Sequence, residues 1–287
     1  MFDLDVSCYV PVYNGETTIK PCLESILNQS VKPNKILVIN DKSTDNTEKI
    51  LSEFGGSSEV LNNDINRGIA YSRNLALKNL KTRFIASVDA DVELSKDWLK
   101  ILINIIQEKK VTLVGGKMYE KFIENNYNYW RSVRLKQNWG EDDNLNPKFI
   151  FGCNNLLDTK FLNGKFQYRN DKEYFKTNFE DIFFSKDLLK NNFKLFYSSQ
   201  ALCLHLQNDN AKTLANRYWR YMSYGDGFKK RNFYKLFKNS LREMKKTFKW
   251  SLEDILKSRF RLLKVNFLVL MYFIQLNLKF NLNNKLD

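Results

Sequence analysis

Two aspartates stand one residue apart in the sequence FIASVDADVEL, residues 84–94, directly after an apolar run. On an extended chain the side chains of Asp89, Asp91 and Glu93 lie on one side, where their negative charges repel. A hard divalent cation would remove that repulsion, because Mg²⁺ takes one or two carboxylates and completes its shell with phosphate oxygens and water. The spacing therefore indicates a candidate metal and phosphate site. The alternative is a solvated acidic turn that precedes a helix.

Buried strands that alternate with helical patterns must position these carboxylates. The apolar runs predict strands at 6–12, 35–40, 59–63, 83–88 and 111–116. Strands of this kind, separated by helices, favour an α/β fold with a mostly parallel sheet and helices on both faces. Ligands of such sheets bind beyond the carboxyl ends of the strands. Asp41 and Asp89 directly follow the second and fourth strands, so we expect both at the ligand edge.

Charge divides the chain into two parts. Residues 1–211 carry 28 basic and 27 acidic side chains, whereas residues 212–264 carry 16 basic and 4 acidic ones, a net charge of +12. We therefore predict a nearly neutral domain at 1–211 and a basic, aromatic-rich helical tail at 212–287. The apolar run at 267–274 is too short to cross a bilayer. Basic amphipathic segments with aromatic residues lie on anionic membranes; the alternative is a run that packs on the domain or forms a dimer.

The cysteines and the N-terminus bear on the cellular compartment. No C-x-x-C pair occurs, and each cysteine lies in an apolar stretch, which indicates reduced core residues in the cytosol. The four are Cys8, Cys22, Cys153 and Cys203. Asp3 and Asp5 stand where a signal peptide would carry positive charge, so we do not expect export. With the basic tail, this predicts a cytoplasmic protein that is peripheral on the inner face of the membrane.

Several longer motifs follow one another along the chain. They are PVYNGETTIKPCLESILNQS (11–30), ILVINDKSTDNT (36–47), NRGIAYSRNLAL (66–77), SVDADVEL (87–94), FGCNNLLDTKFL (151–162), GKF (164–166) and FEDIFFSKDLLKNNFKLFYSSQALCLH (179–205). In this order and spacing they resemble the inverting nucleotide-sugar glycosyltransferases of family two, over roughly residues 4 to 207. The resemblance implies a GT-A fold and metal-dependent transfer of a sugar from a nucleotide-diphosphate sugar to an acceptor hydroxyl. It implies a glycan or lipid-linked acceptor, in surface polysaccharide, lipid-linked oligosaccharide or glycolipid synthesis.

The same resemblance implies roles on the donor side. Pro11 and Tyr13 would end the first strand where the family packs against the nucleotide base, and Asp41 would accept a hydrogen bond from that base. Arg73 would lie near the nucleotide. From the local sequence alone, Asp41 is a turn aspartate and Arg73 a surface residue of a helix.

The implied metal site combines three side chains. Asp91 would ligate the Mn²⁺ or Mg²⁺ ion that bridges the diphosphate, and Asp89 would face the ribose or the metal. His205 is the only histidine of the chain and would be a third ligand, which suits Mn²⁺ better than Mg²⁺. A buried, hydrogen-bonded core histidine is the alternative.

On the acceptor side, Asp181 would be the general base, because inversion by a single displacement needs a carboxylate that takes the proton of the hydroxyl. Glu180 would help to orient the acceptor. The alternative is an acidic first turn of a helix over 182–190. Residues 119–144 are aromatic and basic, so Trp130 and Arg134 are candidates for an acceptor wall. Ordinary helix packing is the other reading of that segment.

Some features depart from the family or from this function. Lys42 stands where the family usually has a glycine, and we expect ordinary turn angles there. Nothing resembles the Q-x-x-R-W motif of processive synthases, which favours non-processive, hexosyl-type transfer. A sugar nucleotidylyltransferase of related fold would need a glycine-rich phosphate loop, and PVYNGETT has one glycine. The hypothesis of a nucleic-acid-binding protein would explain the basic tail, but it leaves Asp89, Asp91 and Asp181 unexplained. We therefore expect no nucleic-acid partner.

Overall fold

The computed structural model describes residues 5–161, 167–170, 179–223 and 233–283. The chain forms two compact units. Residues 1–121 and 137–206 form the first, here called the sheet unit, and residues 122–136 and 207–287 form the second, here called the helical unit. Charge alone placed a boundary between residues 211 and 212; in the structure the helical unit begins at Gln207 and also takes in residues 122–136. The motif GKF lies outside the described residues.

The strands of the sheet unit follow the predicted positions closely at the start of the chain and less closely after residue 110. They are β1 (Val6–Val12), β2 (Lys35–Asn40), β3 (Glu59–Asn62), β4 (Phe84–Val88), β5 (Val92–Leu94), β6 (Leu113–Glu120), β7 (Asn144–Leu145), β8 (Asn154–Asp158) and β9 (Leu195–His205).

Helices lie between these strands and make up the helical unit. They are α1 (Ile19–Leu27), α2 (Thr47–Ser52), α3 (Ile69–Asn79), α4 (Trp98–Glu108), α5 (Asn126–Arg134), α6 (Glu180–Lys190), α7 (Ala211–Ser223), α8 (Phe233–Leu256) and α9 (Arg261–Asn283), with a short 3₁₀ turn at Thr159–Phe161. The predicted basic helical tail is thus confirmed as helical in its described part.

Among the described residues, one sheet has the strand order β3-β2-β1-β4-β8-β6-β9-β5, and β7 pairs with β9 beside that path. The first four strands are parallel, as predicted. The other half is mixed, because β8 runs antiparallel to both β4 and β6. The α/β prediction is confirmed, and the sheet is less parallel than expected because both β8 and β5 run antiparallel to the strands they pair with.

Registers of the parallel strands bring the predicted ligand edge together. Val12 pairs with Asn40, so Tyr13 and Asp41 leave neighbouring strands side by side. On the other side of β1, Tyr9 pairs with Ser87, which places Asp89 just beyond the same edge. Every residue of β1 and β4 is buried, since helices cover both faces of the sheet.

The backbone at Lys42 departs from expectation. Lys42 has φ +61°, in the left-handed region, so the expectation of ordinary turn angles is wrong. The chain turns sharply there between Asp41 and Ser43, and the backbone N–H of Ser43 donates to Oδ1 of Asn40 at 3.1 Å. The left-handed angle gives a physical reason for the glycine that the family usually has at this position.

The helical unit has its own core. Trp130 of α5, Tyr218 and Trp219 of α7, and Val269 and Phe273 of α9 are buried together. The rings of Trp130 and Tyr218 meet edge to face at 5.5 Å. One helix in the described residues, over Arg261–Asn281, is long and apolar enough to cross a membrane by length and composition, and a third of it is buried.

Candidate functional site

Arg73 lies at the centre of the candidate site. It comes from α3 and is 1% exposed, and its guanidinium donates in three directions. Nη2 donates to Oδ1 of Asp89 at 2.8 Å, and Nε donates to Oε1 of Glu180 at 3.2 Å. Nη1 donates to Oγ of Ser87 at 2.5 Å and to the carbonyl oxygen of Gly152 at 2.8 Å. One side chain therefore joins the ends of β4, β8 and α6.

A buried guanidinium is tolerated here because carboxylates compensate its charge. Burial alone would lower the pKa of Arg73, but Asp89 first and then Glu180 raise it, so the group stays charged. The sequence assigned Arg73 to the nucleotide and Glu180 to the acceptor. The structure pairs the two side chains with each other, and Arg73 also bonds Asp89.

Asp181 lies in the first turn of α6, against Gly152. The backbone N–H of Gly152 donates to Oδ2 of Asp181 at 2.9 Å, and that of Ile182 donates to Oδ1 at 2.7 Å. Burial, and then the neighbouring charge of Glu180, raise the pKa of Asp181 to about 7. A carboxylate with a pKa near 7 is suited to general-base catalysis at neutral pH.

Gly152 fits between Arg73 and Asp181 only because it has no side chain. A Cβ atom there would lie 2.6 Å from Nη2 of Arg73 and 3.3 Å from Cβ of Asp181. Its carbonyl oxygen and its N–H bond these two residues respectively. The glycine thus connects the donor side of the site with the predicted base.

Asp89 extends the same network toward the D-x-D sequence. Burial raises the pKa of Asp89 to about 6. The positive charge of Arg73 opposes this rise, and the negative charges of Asp91 and Glu180 add to it. Its backbone N–H donates to the carbonyl oxygen of Cys153 at 3.0 Å, which fixes the turn after β4. One oxygen of Asp89 is therefore held by Arg73. The cluster of Arg73 with Asp89, Asp91 and Glu180 contains more acidic than basic groups.

Asp91 and His205 meet at the neighbouring strand ends. Nε2 of His205 lies 3.1 Å from Oδ2 of Asp91, and Nδ1 lies 3.0 Å from Oε2 of Glu120. Burial opposes protonation of the imidazole, but Asp91 and Glu120 raise the pKa of His205 above its ordinary value. His205 is buried, as the alternative of a core histidine predicts. Its hydrogen-bond partners, however, are the carboxylates of Asp91 and Glu120.

This arrangement fits a divalent cation. A neutral imidazole that donates Nδ1–H to Glu120 directs the lone pair of Nε2 at the carboxylate of Asp91, and the two repel unless a positive charge lies between them. A carboxylate behind a histidine ligand is the usual support in metal sites. Among the described residues, no three His, Cys, Asp or Glu side chains group as a metal centre. Asp91 and His205 would therefore be the protein ligands, with phosphate and water completing the shell.

The remaining donor-side residues lie at the carboxyl edge of β1 and β2. Pro11 is buried within β1, and Tyr13 is 51% exposed directly after it. Asp41 is buried: Oδ1 accepts from the side chain of Asn63 at 2.6 Å and from the N–H of Arg67 at 2.9 Å. Oδ2 accepts from the N–H of Gly68 at 2.7 Å. Asp41 thus orders the loop that leads into α3 and Arg73.

Trp130 and Arg134 do not join this group. Both lie in the helical unit, where the indole N–H of Trp130 donates to Oδ1 of Asn266 at 2.7 Å and the ring is wholly buried. Arg134 donates to Asp254 at 2.6 Å and to Glu253 at 3.1 Å. A wholly buried ring offers no face to a sugar, so the structure favours helix packing at these two positions over an acceptor wall.

Sequence reasoning missed Gly152, Ser87 and Glu120. Gly152 follows Phe151 and resembles an ordinary loop glycine, and Ser87 is one small residue inside a strand. Glu120 ends β6, where it pairs with His205 of β9 across a parallel register. No local spacing indicates that pairing, because 85 residues separate the two side chains.

Comparison with known proteins gives a family match over most of the sheet unit. Residues 7–180, more than half of the chain, match the family described as glycosyl transferase family 2. One relative is WfgD of Escherichia coli, named as UDP-Glc:alpha-D-GlcNAc-diphosphoundecaprenol beta-1,3-glucosyltransferase. It is 36% identical to this chain over 127 residues. Those residues are 44% of this chain and 49% of WfgD. This chain spans about half the length, or less, of this and other curated relatives.

Two further proteins match over longer ranges. The putative teichuronic acid biosynthesis glycosyltransferase TuaG of Bacillus subtilis is 24% identical over 218 residues, which are 75% of this chain and 83% of TuaG. The structure of the mannosyltransferase PcManGT from Pyrobaculum calidifontis, in complex with GDP-Man and Mn²⁺, has a TM-score of 0.60 at 13% identity. The match covers 98% of this chain and 88% of that one, and it confirms the predicted GT-A fold.

Proposed function

The chain belongs to glycosyl transferase family 2, and on that premise we propose that it transfers a sugar from a nucleoside diphosphate sugar to an acceptor hydroxyl with inversion at the anomeric carbon. The observation that carries the proposal is the network in which Arg73 holds Asp89 and bonds the carbonyl of Gly152, whose N–H holds Asp181. In this network Asp89 and Asp181 lie on opposite sides of one glycine, and the raised pKa of Asp181, about 7, supports its proposed role as the base.

The chemistry assigns each side of the site one task. The acceptor hydroxyl approaches the anomeric carbon from the side of Asp181, which takes the proton as the new carbon–oxygen bond forms. The bond from the anomeric carbon to the diphosphate oxygen breaks, and the nucleoside diphosphate departs. A divalent cation held by Asp91 and His205 would supply Lewis-acid stabilisation of the departing diphosphate. Asp89, held by Arg73, orients the donor on the same side.

The donor base would lie against the edge formed by β1 and β2. Tyr13 is exposed there, and its ring is available for stacking on a nucleobase. The side-chain oxygens of Asp41 already accept hydrogen bonds from three protein donors. Asp41 would therefore contribute to base recognition in part by holding the loop before α3 in shape. Pro11 keeps the end of β1 in an extended conformation, since proline fixes φ.

The acceptor proposed for this chain is a glycan or a lipid-linked sugar of the cell envelope. The names of two relatives support this class, one through a diphosphoundecaprenol-linked sugar and the other through teichuronic acid biosynthesis. Transfer of one hexose per acceptor, on the cytoplasmic face of the membrane, is the form of the reaction that we propose. The four cysteines are buried free thiols, which agrees with a reducing compartment.

A donor panel tests this function without a known acceptor. The purified protein is incubated with UDP-, GDP-, CDP- and dTDP-sugars together with Mn²⁺ or Mg²⁺, and free nucleoside diphosphate is measured over time. We expect slow hydrolysis of a subset of donors that share one base, and loss of it when the cation is chelated. If no donor is hydrolysed or bound under any of these conditions, the proposed function is wrong.

A further inference from the structure

The outward face of α8 carries large apolar side chains at helical spacing. Phe248 is 67% exposed, and the others recur every three or four residues, so they form one stripe along the helix. Besides Phe248, the stripe contains Tyr234, Phe237, Leu241, Met244, Leu252 and Ile255. We call these seven residues the α8 stripe. A soluble helix usually buries such a stripe, and here the stripe faces away from the core of the unit.

Basic side chains line one flank of this stripe. At about 100° per residue, an α-helix places them directly beside the apolar side chains and away from the buried face. They are the exposed residues Lys235, Lys238, Arg242, Lys245 and Lys249. Two of the three acidic residues of α8 are oriented inward: Glu243 is 2% exposed and accepts from the hydroxyl of Tyr218, and Asp254 is fully buried beside Arg134. The third, Glu253 near the end of the helix, is partly exposed and is ion-paired with Lys257 and Arg259. The outward face of α8 therefore combines apolar and positively charged groups.

The neighbouring helix α9 does not offer an equivalent surface. Its residues Val265, Val269 and Phe273 are buried in the core of the helical unit. Two side chains of the apolar run 267–274, Val269 and Phe273, are only 2% and 1% exposed, so the run does not present all of its side chains outward. The buried Asn266 also fixes α9 in place, since it bonds both Trp130 and Asp254.

We propose that the α8 stripe and its basic flank form a docking surface for an anionic lipid bilayer. Apolar side chains, three of them aromatic, suit the boundary between headgroups and acyl chains, and the adjacent lysines and arginine suit anionic headgroups. Charge complementarity selects this occupant, because the described outward side chains of α8 include five basic groups while its acidic groups are turned inward or ion-paired. The surface is independent of the proposed sugar transfer, since lipid binding is measured without a donor.

Flotation of the full-length protein with vesicles tests this proposal. Vesicles of phosphatidylcholine are compared with vesicles that contain phosphatidylglycerol, at low and high salt. We expect the protein to float only with the anionic vesicles and less at high salt, because ions screen the lysines. Two double variants remove each component: L241S with F248S for the stripe, and K245E with K249E for the flank. Each should lower the bound fraction at least tenfold.

A matched pair of lysines in the sheet unit, K78E with K100E, controls for the change in net charge, and it should bind like the parent protein. Circular dichroism of all variants should match the parent, since every substituted side chain on α8 is exposed. The proposal is overturned if the α8 variants float as well as the parent, or if the parent does not bind anionic vesicles. It is equally overturned if light scattering shows that these variants instead dissociate a dimer, because the face would then be a protein interface.

Discussion

Nε2 of His205 lies 3.1 Å from Oδ2 of Asp91, with Glu120 on the opposite nitrogen of the same imidazole. An imidazole between two carboxylates needs a positive charge, either an added proton or a metal ion at Nε2. Binding of a divalent cation at Nε2 would release that added proton, because a ligating histidine is neutral. This relationship connects metal binding to proton release, which calorimetry can detect.

The first prediction removes the metal ligand. Asp91→Ala should lower the affinity for Mn²⁺ together with a nucleoside diphosphate by at least tenfold, because a direct carboxylate ligand is lost. Isothermal titration measures this, and running it in buffers of different ionisation heats should show proton release in the parent only. Glu108→Ala, which removes an exposed carboxylate at the end of α4, is the control. Unchanged affinity in Asp91→Ala would remove this residue from the metal site.

The second prediction concerns the buried arginine. Arg73→Met should destabilise the fold by about 3 kcal/mol or more, because it leaves the buried carboxylate of Glu180 and the partly buried carboxylate of Asp89 uncompensated. The free energy of unfolding in urea measures the effect. Lys20→Ala is the control: its 3.9 Å contact with Glu53 joins two side chains that are more than half exposed, and its loss should change stability by about 0.5 kcal/mol at most. Equal effects of the two variants would mean that Arg73 does not hold the site together.

The third prediction follows from the raised pKa of Asp181. A base must be ionised, so kcat/KM, which reports the free enzyme, should rise with pH through about 7. The same shift has a consequence for stability. The folded state binds a proton at Asp181 that the unfolded state releases near pH 4, so this contribution to stability is lost as the pH rises through about 7.

Asp181→Asn should therefore have a higher melting temperature than the parent at pH 8, because the neutral amide avoids the buried charge. The difference should shrink toward pH 5, where the parent carboxyl is protonated in the folded state. Thermal unfolding across this pH range measures it. A variant that is less stable than the parent at pH 8 would contradict the raised pKa.

The fourth prediction uses the left-handed backbone at Lys42. Lys42→Gly should stabilise the fold by about 1 kcal/mol, because glycine adopts φ +61° without the steric cost of a Cβ atom. Lys49→Gly should have the opposite sign, a loss of about 1 kcal/mol, because Lys49 is exposed inside α2 where glycine is unfavourable. Chemical denaturation of both variants tests the pair. Two changes of the same sign would show that the backbone angle at Lys42 carries no strain.

Local patterns predicted the first half of the sheet well. The bounds of β1 and β2 agree with the predicted runs at 6–12 and 35–40, because each strand is a single buried run between clear turn residues. The prediction that a strand ends at Gly115 and Gly116 is wrong. There β6 continues to Glu120 with an irregular register. A Cβ on Gly116 would lie 2.3 Å from the carbonyl oxygen of Ala201, so this glycine permits a close approach to β9 rather than a turn.

Long-range contacts explain what the sequence could not predict in the site. Asp89, Asp91, Asp181 and His205 were recognised from motifs, but the partners that hold them are 16 to 114 residues away along the chain. Arg73 reaches Glu180 across 107 residues, and no spacing rule indicates such a pair. The segment with Trp130 misled for the same reason: aromatic composition is equally typical of a sugar-binding wall and of a helical core, and only the packing of α5 distinguishes them.

The most direct test of the central claim compares donor binding with donor hydrolysis in Asp181→Asn. Binding of the best nucleoside diphosphate sugar with Mn²⁺ is measured by calorimetry, and release of nucleoside diphosphate is measured on the same preparation. We predict a dissociation constant within about twofold of the parent and a rate lowered by about 100-fold or more, because the amide keeps the shape of Asp181 and cannot take a proton. A variant that hydrolyses or transfers sugar at the rate of the parent would contradict the assignment of Asp181 as the base.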